Sequence, residues 1–135
     1  LHVRPSKYSQ DAHEDTLELL RSYQKTHGDR VRGNAHFFTA PLEVAQKYWD
    51  RGFTVAFPGI ITFSNETHEV VREAPLYMIL AETDAPYAAP VPLRGGRCEP
   101  VHVIEIVKHI AELKKLSITE VQMKLLENTR RVFNF

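Results

Sequence analysis

The feature that most constrains this chain is an alternation. Short apolar runs with strand character are followed by stretches with helical spacing, four times along the sequence. Leu1-His2-Val3 is the tail of a first strand, and Asp11-Ala12-His13-Glu14 has the form of a capping box opening a helix through Leu17, Leu20 and Tyr23 to a stop at Gly28. The second unit runs through Asn34-Ala35-His36-Phe37-Phe38. Thr39 is placed to cap its helix, Pro41 lies in the first turn, Leu42, Ala45 and Trp49 share a face, and Gly52 ends it. The third strand, Phe53–Phe57, stops at Pro58-Gly59; apolar Ile60–Phe63 then leads to a short helix over Glu66–Glu73. The fourth, Met78–Glu82, is a nearly continuous apolar run, the pattern of a strand buried on both faces of a parallel sheet. A loop rich in Pro, Gly and Arg follows from Thr83 to Cys98. Two helices close the chain, one over Glu99–Lys115 and one opened by the capping box Ser117-Ile118-Thr119-Glu120 and carrying Val121, Leu125 and Val132 on one stripe.

Repeated βα units imply an α/β fold with a parallel sheet and right-handed crossovers. Either a doubly wound open sheet or a barrel satisfies the pattern. No glycine-rich nucleotide-binding motif is present, which argues against the first. A (β/α)8 barrel takes about 250 residues, so four units in 135 residues amount to half of one. The chain opens on Leu1-His2-Val3-Arg4, inside a strand, and from this we expect an N-terminal part of the domain to lie upstream. Formal net charge is zero, which excludes a broad electrostatic footprint for nucleic acid and confines any such role to a local site. No apolar run approaches the ~20 residues of a membrane span. The single cysteine, Cys98, fits a reducing compartment, and a cytoplasmic location is expected.

Chemistry in parallel α/β folds gathers at the C-terminal ends of strands. Here the first strand ends at His2, the second at His36 and the fourth at Glu82-Thr83-Asp84. Two imidazoles and a carboxylate on three strands match the ligand set of a catalytic Zn²⁺, Mn²⁺ or Mg²⁺ site with a position left for water. Each residue also has a bland explanation. A strand-end histidine is commonly a polar boundary residue, Asp84 can cap a turn, and Glu82 can pair with a cation. The loop Pro90–Arg97 has glycines that let backbone approach a ligand and arginines suited to phosphate, though a solvated loop has the same composition. His13, His27, His68, His102 and His109 fall on helices or their ends and are expected at the surface; Trp49, Phe37 and Phe38 are expected in the core.

Several segments together resemble the TatD family of hydrolases. His36-Phe37-Phe38-Thr39 with Leu42-Glu43 resembles that family's "HCFSGSLE", and Gly52–Phe63 resembles "GFYISFSGIVTF". Leu80–Tyr87 resembles "LLETDSPYLAP", Pro90–Gly95 resembles "PVPYRG", and Glu99-Pro100 and Glu127–Phe133 also match. The resemblance covers nearly the whole chain, in order. It implies an amidohydrolase-like (β/α)8 barrel of which this chain is the C-terminal half. It further implies a two-metal centre of divalent ions and hydrolysis of phosphodiester bonds in DNA, often from the 3′ end. RNA, or an ester or amide such as an aminoacyl-tRNA, remains open as substrate, as does a catalytically incomplete half-barrel. Carried over by residue, His2 and His36 become metal ligands, and Asp84 becomes both a metal ligand and the catalytic acid–base group. Glu82 becomes a partner that positions them, and Arg4, Tyr87 and Arg94 become substrate contacts. The family's upstream His-x-His pair and bridging glutamate have no counterpart here, and Pro5–Gln10 make a longer loop than the family's. No membrane or obligate protein partner is implied, and a monomer is expected for the full-length protein.

Overall fold

A computed structural model describes residues 1–6, 9 and 11–135. Three strands, β1 (Asn34–Ala35), β2 (Thr54–Phe57) and β3 (Ile79–Ala81), form a parallel sheet in the order β1-β2-β3. Asn34 pairs with Thr54, and Val55, Ala56 and Phe57 pair with Ile79, Leu80 and Ala81. The chain start adds a fourth parallel segment beyond β1. His2 bridges to His36, the His36 N–H donates to the Leu1 carbonyl at 2.8 Å, and the Leu1 nitrogen donates to the Asn34 carbonyl at 2.7 Å. The four segments therefore lie side by side in chain order with no reversal, which agrees with the α/β parallel reading.

The strands are shorter than predicted. The second and fourth end where Phe37 (φ 52°) and Asp84 (φ 54°) adopt the left-handed region. That conformation turns an L-residue out of the extended ladder, although Phe38 N–H still reaches the Ala56 carbonyl at 2.9 Å.

Because side chains alternate across a strand, Ala35, Val55, Phe57 and Ile79 point into one core shared with the helices. Helices α1 (Asp11–His27), α2 (Leu42–Trp49), α3 (His68–Glu73), α4 (Val103–Lys114) and α5 (Ile118–Phe133) supply the rest. Ile106 and Ile110, one turn apart on α4, are fully buried, each worth roughly 1.5–3 kcal/mol of apolar transfer. Lys114, at the end of α4, donates to the carbonyls of Val71, Arg72 and Ala74 at 2.8, 2.9 and 2.7 Å and so caps α3 from a neighbouring element.

Helix starts differ from the predicted ones in detail. Asp11 is the first helical residue of α1 rather than its cap, and its N–H is taken by Ser9 Oγ. Pro41, not Thr39, precedes α2. A 3-10 turn over Pro100–His102 leads into α4. Ser117 does cap α5, accepting the Glu120 N–H at 3.2 Å. Lys7, Tyr8 and Gln10, in the long loop after Arg4, lie outside the described residues.

The buried faces also shift. In α1 the inward stripe is His13, Leu17 and Leu20, while Tyr23 is 59% exposed. His13, expected at the surface, is 3% exposed, with Nδ1 3.1 Å from the Tyr48 hydroxyl. Burial holds its pKa below the usual histidine value and pushes the Tyr48 phenol up to about 12. In α2 the inward residue is Tyr48, and Trp49 is only partly buried. In α5 the stripe is Val121, Leu125 and Asn128, not Val132. Asn128 Nδ2 donates to the Leu76 and Ile79 carbonyls at 2.8 and 2.9 Å. The Glu82 N–H donates to the Phe57 carbonyl at 3.1 Å, so by alternation the Ile79 carbonyl faces the outer edge of β3, and α5 thereby covers part of that edge. His68 and His109, also expected at the surface, are partly buried with their Nε2 atoms 3.3 Å apart.

Candidate functional site

The parallel sheet brings the ends of all four segments to one side, as such sheets must. His36 follows β1, Pro58-Gly59 follows β2, Glu82 and Asp84 follow β3, and Arg4 follows the His2 bridge.

Glu82 organises the cluster. Its Oε2 accepts from His36 Nδ1 at 2.7 Å and its Oε1 accepts from the Phe37 N–H at 2.6 Å. The Glu82 side chain is 19% exposed, so both bonds form in a partly dry setting. A carboxylate only accepts, so Nδ1 carries the proton of this pair and Nε2 is the ring's free face. That face looks at Asp84 Oδ1, 3.3 Å away. A lone pair facing a carboxylate oxygen is reconciled only by a proton or a cation. A histidine anchored through Nδ1 by one carboxylate, with Nε2 turned to another acceptor, is the usual second-sphere arrangement of a metal ligand. The donor chemistry therefore fits a divalent cation.

The His2 ring lies 5.5 Å from that of His36 and is tilted by 40°. The two imidazoles are thus neighbours at the ends of adjacent segments. Among the described residues no three His, Cys, Asp or Glu side chains form a ready-made metal cage. The expected trio of His2, His36 and Asp84 is thus brought together as neighbours and not as a closed set.

A cavity of about 440 Å³ opens beside this cluster. It is lined by His2, Val3, Arg4, Pro5, Phe37, Thr39, Ile60, Glu66 and Asp84. Arg4, singled out from the sequence, is in it. Tyr87 and Arg94 are not: Tyr87 is 73% exposed elsewhere, and the Arg94 guanidinium sits 4.1 Å over the Phe63 ring. The Pro/Gly/Arg loop is fastened to the 3-10 turn Gly59–Thr62. Thr62 Oγ1 takes the Val91 N–H at 2.9 Å, and Gly59 lies so close that a Cβ there would meet the Ala88 carbonyl at 2.1 Å.

Sequence reasoning missed Phe37, Ile60 and Glu66 as cavity residues. Phe37 and Phe38 are both expected in the core; the structure buries Phe38 (2% exposed) and leaves Phe37 only partly buried, with a positive φ, at the cavity. Glu66 carries no local signal, being one acid in an unremarkable turn.

The model for the family described as TatD related DNase matches residues 2–134. An uncharacterized metal-dependent hydrolase of Escherichia coli K12, YcfH, is 37% identical over 129 residues, covering 94% of this chain and 48% of that protein. YabD, an uncharacterized metal-dependent hydrolase of Bacillus subtilis, is 37% identical over 128 residues, covering 93% of this chain and 49% of that protein. The crystal structure of YjjV, a TatD homologue of Escherichia coli K12, superposes with a TM-score of 0.84 at 26% identity, over 100% of this chain and 49% of that one. A TatD-family hydrolase structure from Entamoeba histolytica shares the fold, with a TM-score of 0.80 at 19% identity. The chain spans about half the length of the curated relatives it matches. With parallel topology and near-complete sequence coverage in agreement, the chain belongs to the TatD-related DNase family.

Proposed function

We propose that this chain is the C-terminal half of a (β/α)8-type, divalent-metal-dependent hydrolase that cleaves phosphodiester bonds of DNA. The observation that carries the reading is His36, held through Nδ1 by Glu82 and facing Asp84 through Nε2, at the C-terminal ends of parallel strands. His2 and His36 would hold one cation and Asp84 the other, in a two-metal centre to which the rest of the barrel also contributes. Bound there, Mg²⁺, Mn²⁺ or Zn²⁺ supplies charge stabilisation and lowers the pKa of water toward neutrality.

The chain's own residues do the rest. Glu82 fixes the His36 tautomer and ring orientation. Asp84 Oδ1 lies where it can orient water and accept its proton. Arg4, in the same cavity, offers a guanidinium to phosphate oxygens. The naming of the relatives as metal-dependent hydrolases, and of the family as DNases, supports the reading. We place the protein in the cytoplasm, where the buried free thiol of Cys98 stays reduced.

The test is nucleotide release from labelled single-stranded DNA with Mg²⁺, Mn²⁺ or EDTA, alongside a p-nitrophenyl ester. It is run on the 135-residue chain and on a chain extended to the relatives' length. Metal-dependent cleavage of DNA that Asp84→Asn abolishes is expected. Ester cleavage without DNA cleavage would assign the same site to acyl transfer.

A further inference from the structure

Phe37 is an unusual residue to find in the cavity. Its φ of 52° is costly for a side chain of this bulk, and the ring is only half-buried beside a core that accommodates Phe38 without strain. The ring stands edge-on to His36 at 6.0 Å between centroids. The carboxylate of Glu82 that anchors His36 also anchors the Phe37 backbone N–H. The Phe37 backbone is therefore held in position relative to the candidate metal ligand.

Around it the cavity offers Ile60 as a second apolar wall, Arg4 as its cation, and Glu66 as an acceptor for N–H groups. At about 440 Å³ it lies in the range of a small-molecule site. A flat apolar face beside a guanidinium matches a nucleotide whose base has a free face, which a base stacked inside a duplex lacks. Net charge is zero, so non-specific attraction to a phosphate backbone is weak and affinity must come from local contacts such as this one.

We propose that Phe37 is a specificity-determining platform that stacks on the base of an unpaired nucleotide while Arg4 meets its phosphate. The inference rests on the nuclease reading and adds to it one residue that contacts the base. Base–aromatic stacking on one such platform corresponds to at least about fivefold in affinity.

The experiment is fluorescence anisotropy of the chain with labelled hexathymidylate and with a six-residue abasic deoxyribose-phosphate strand of equal charge, in EDTA so that neither is cleaved. The thymidylate is expected to bind at least about fivefold tighter. Phe37→Ala should bring the two within twofold of each other without changing abasic binding, and Phe37→Trp should keep the gap, with circular dichroism confirming that each variant is folded. Equal binding of both strands by the unmodified chain would overturn the role of Phe37 alone. A Phe37→Ala variant that weakens both strands alike would also overturn it and reduce the ring to a structural part. Failure of the thymidylate strand to bind would overturn this inference, while the nuclease reading is judged separately by the metal-dependent cleavage assay on the extended chain.

Discussion

Replacing Glu82 by glutamine changes one atom and tests how the site is held. Glu82 makes two charge-assisted bonds, to His36 Nδ1 at 2.7 Å and to Phe37 N–H at 2.6 Å. Glutamine has one acceptor oxygen, so one of the two donors is left facing an NH₂ group. A hydrogen bond to a charged group contributes about 1.5–3 kcal/mol, and part of this appears in the orientation of His36. At about 1.4 kcal/mol per factor of ten, a loss of this size predicts Mn²⁺ affinity weaker by roughly 10–100-fold, the range typical when a ligand's supporting carboxylate is removed. Isothermal titration with Mn²⁺ reads the affinity, and ¹⁵N shifts of the His36 ring read its tautomer. Glu82→Asp, too short to span both donors, should behave like glutamine. Affinity within twofold of the parent with an unchanged His36 tautomer would refute the claim that Glu82 positions the ligand.

Three further outcomes follow from the rest of the fold. Gly59→Ala places a methyl 2.1 Å from the Ala88 carbonyl, a backbone atom with nowhere to go. It should cost about 1–3 kcal/mol and lower Tm by roughly 4 °C for each of those, and a Tm within 1 °C of the parent would show that the loop yields freely. Lys114→Met strips the carbonyls of Val71, Arg72 and Ala74 of their shared donor. About 2–4 kcal/mol is expected, with amide exchange accelerated first in α3. Burial holds both His13 and His109 below the ordinary histidine pKa, with His68 adding to the effect at His109. Their unfolded-state pKa is therefore the higher one, so the unfolded chain binds more protons. Their stability contribution is present above about pH 6.5 and is lost as pH falls through the folded values. Denaturant midpoints measured from pH 7.5 to 5 should drop, and His13→Phe should flatten the fall.

Much of this protein is written locally. The apolar run Met78–Glu82, the punctuation at Gly28, Gly52 and Pro58-Gly59, and the Ser117 cap each act over a few residues. Backbone sterics and short-range hydrogen bonds read such signals directly. Their alternation determined a parallel sheet, and a parallel sheet determined that His2, His36, Glu82 and Asp84 would end on one side of it. Helical faces were less legible. A 3.6-residue period says that a stripe is buried, but which of two adjacent stripes depends on what it meets. His13 replaced Tyr23 and Tyr48 replaced Trp49 because the Tyr48 hydroxyl and the His13 ring satisfy each other inside the core. Asn128 reads as a polar outsider until the Ile79 carbonyl at the outer edge of β3 is seen to need its amide. The positive φ at Phe37 and the place of Glu66 in the cavity belong to tertiary structure alone. No residue near them in sequence specifies either one. They are set by a carboxylate 45 positions away on β3's exit and by the approach of segments that only folding brings together.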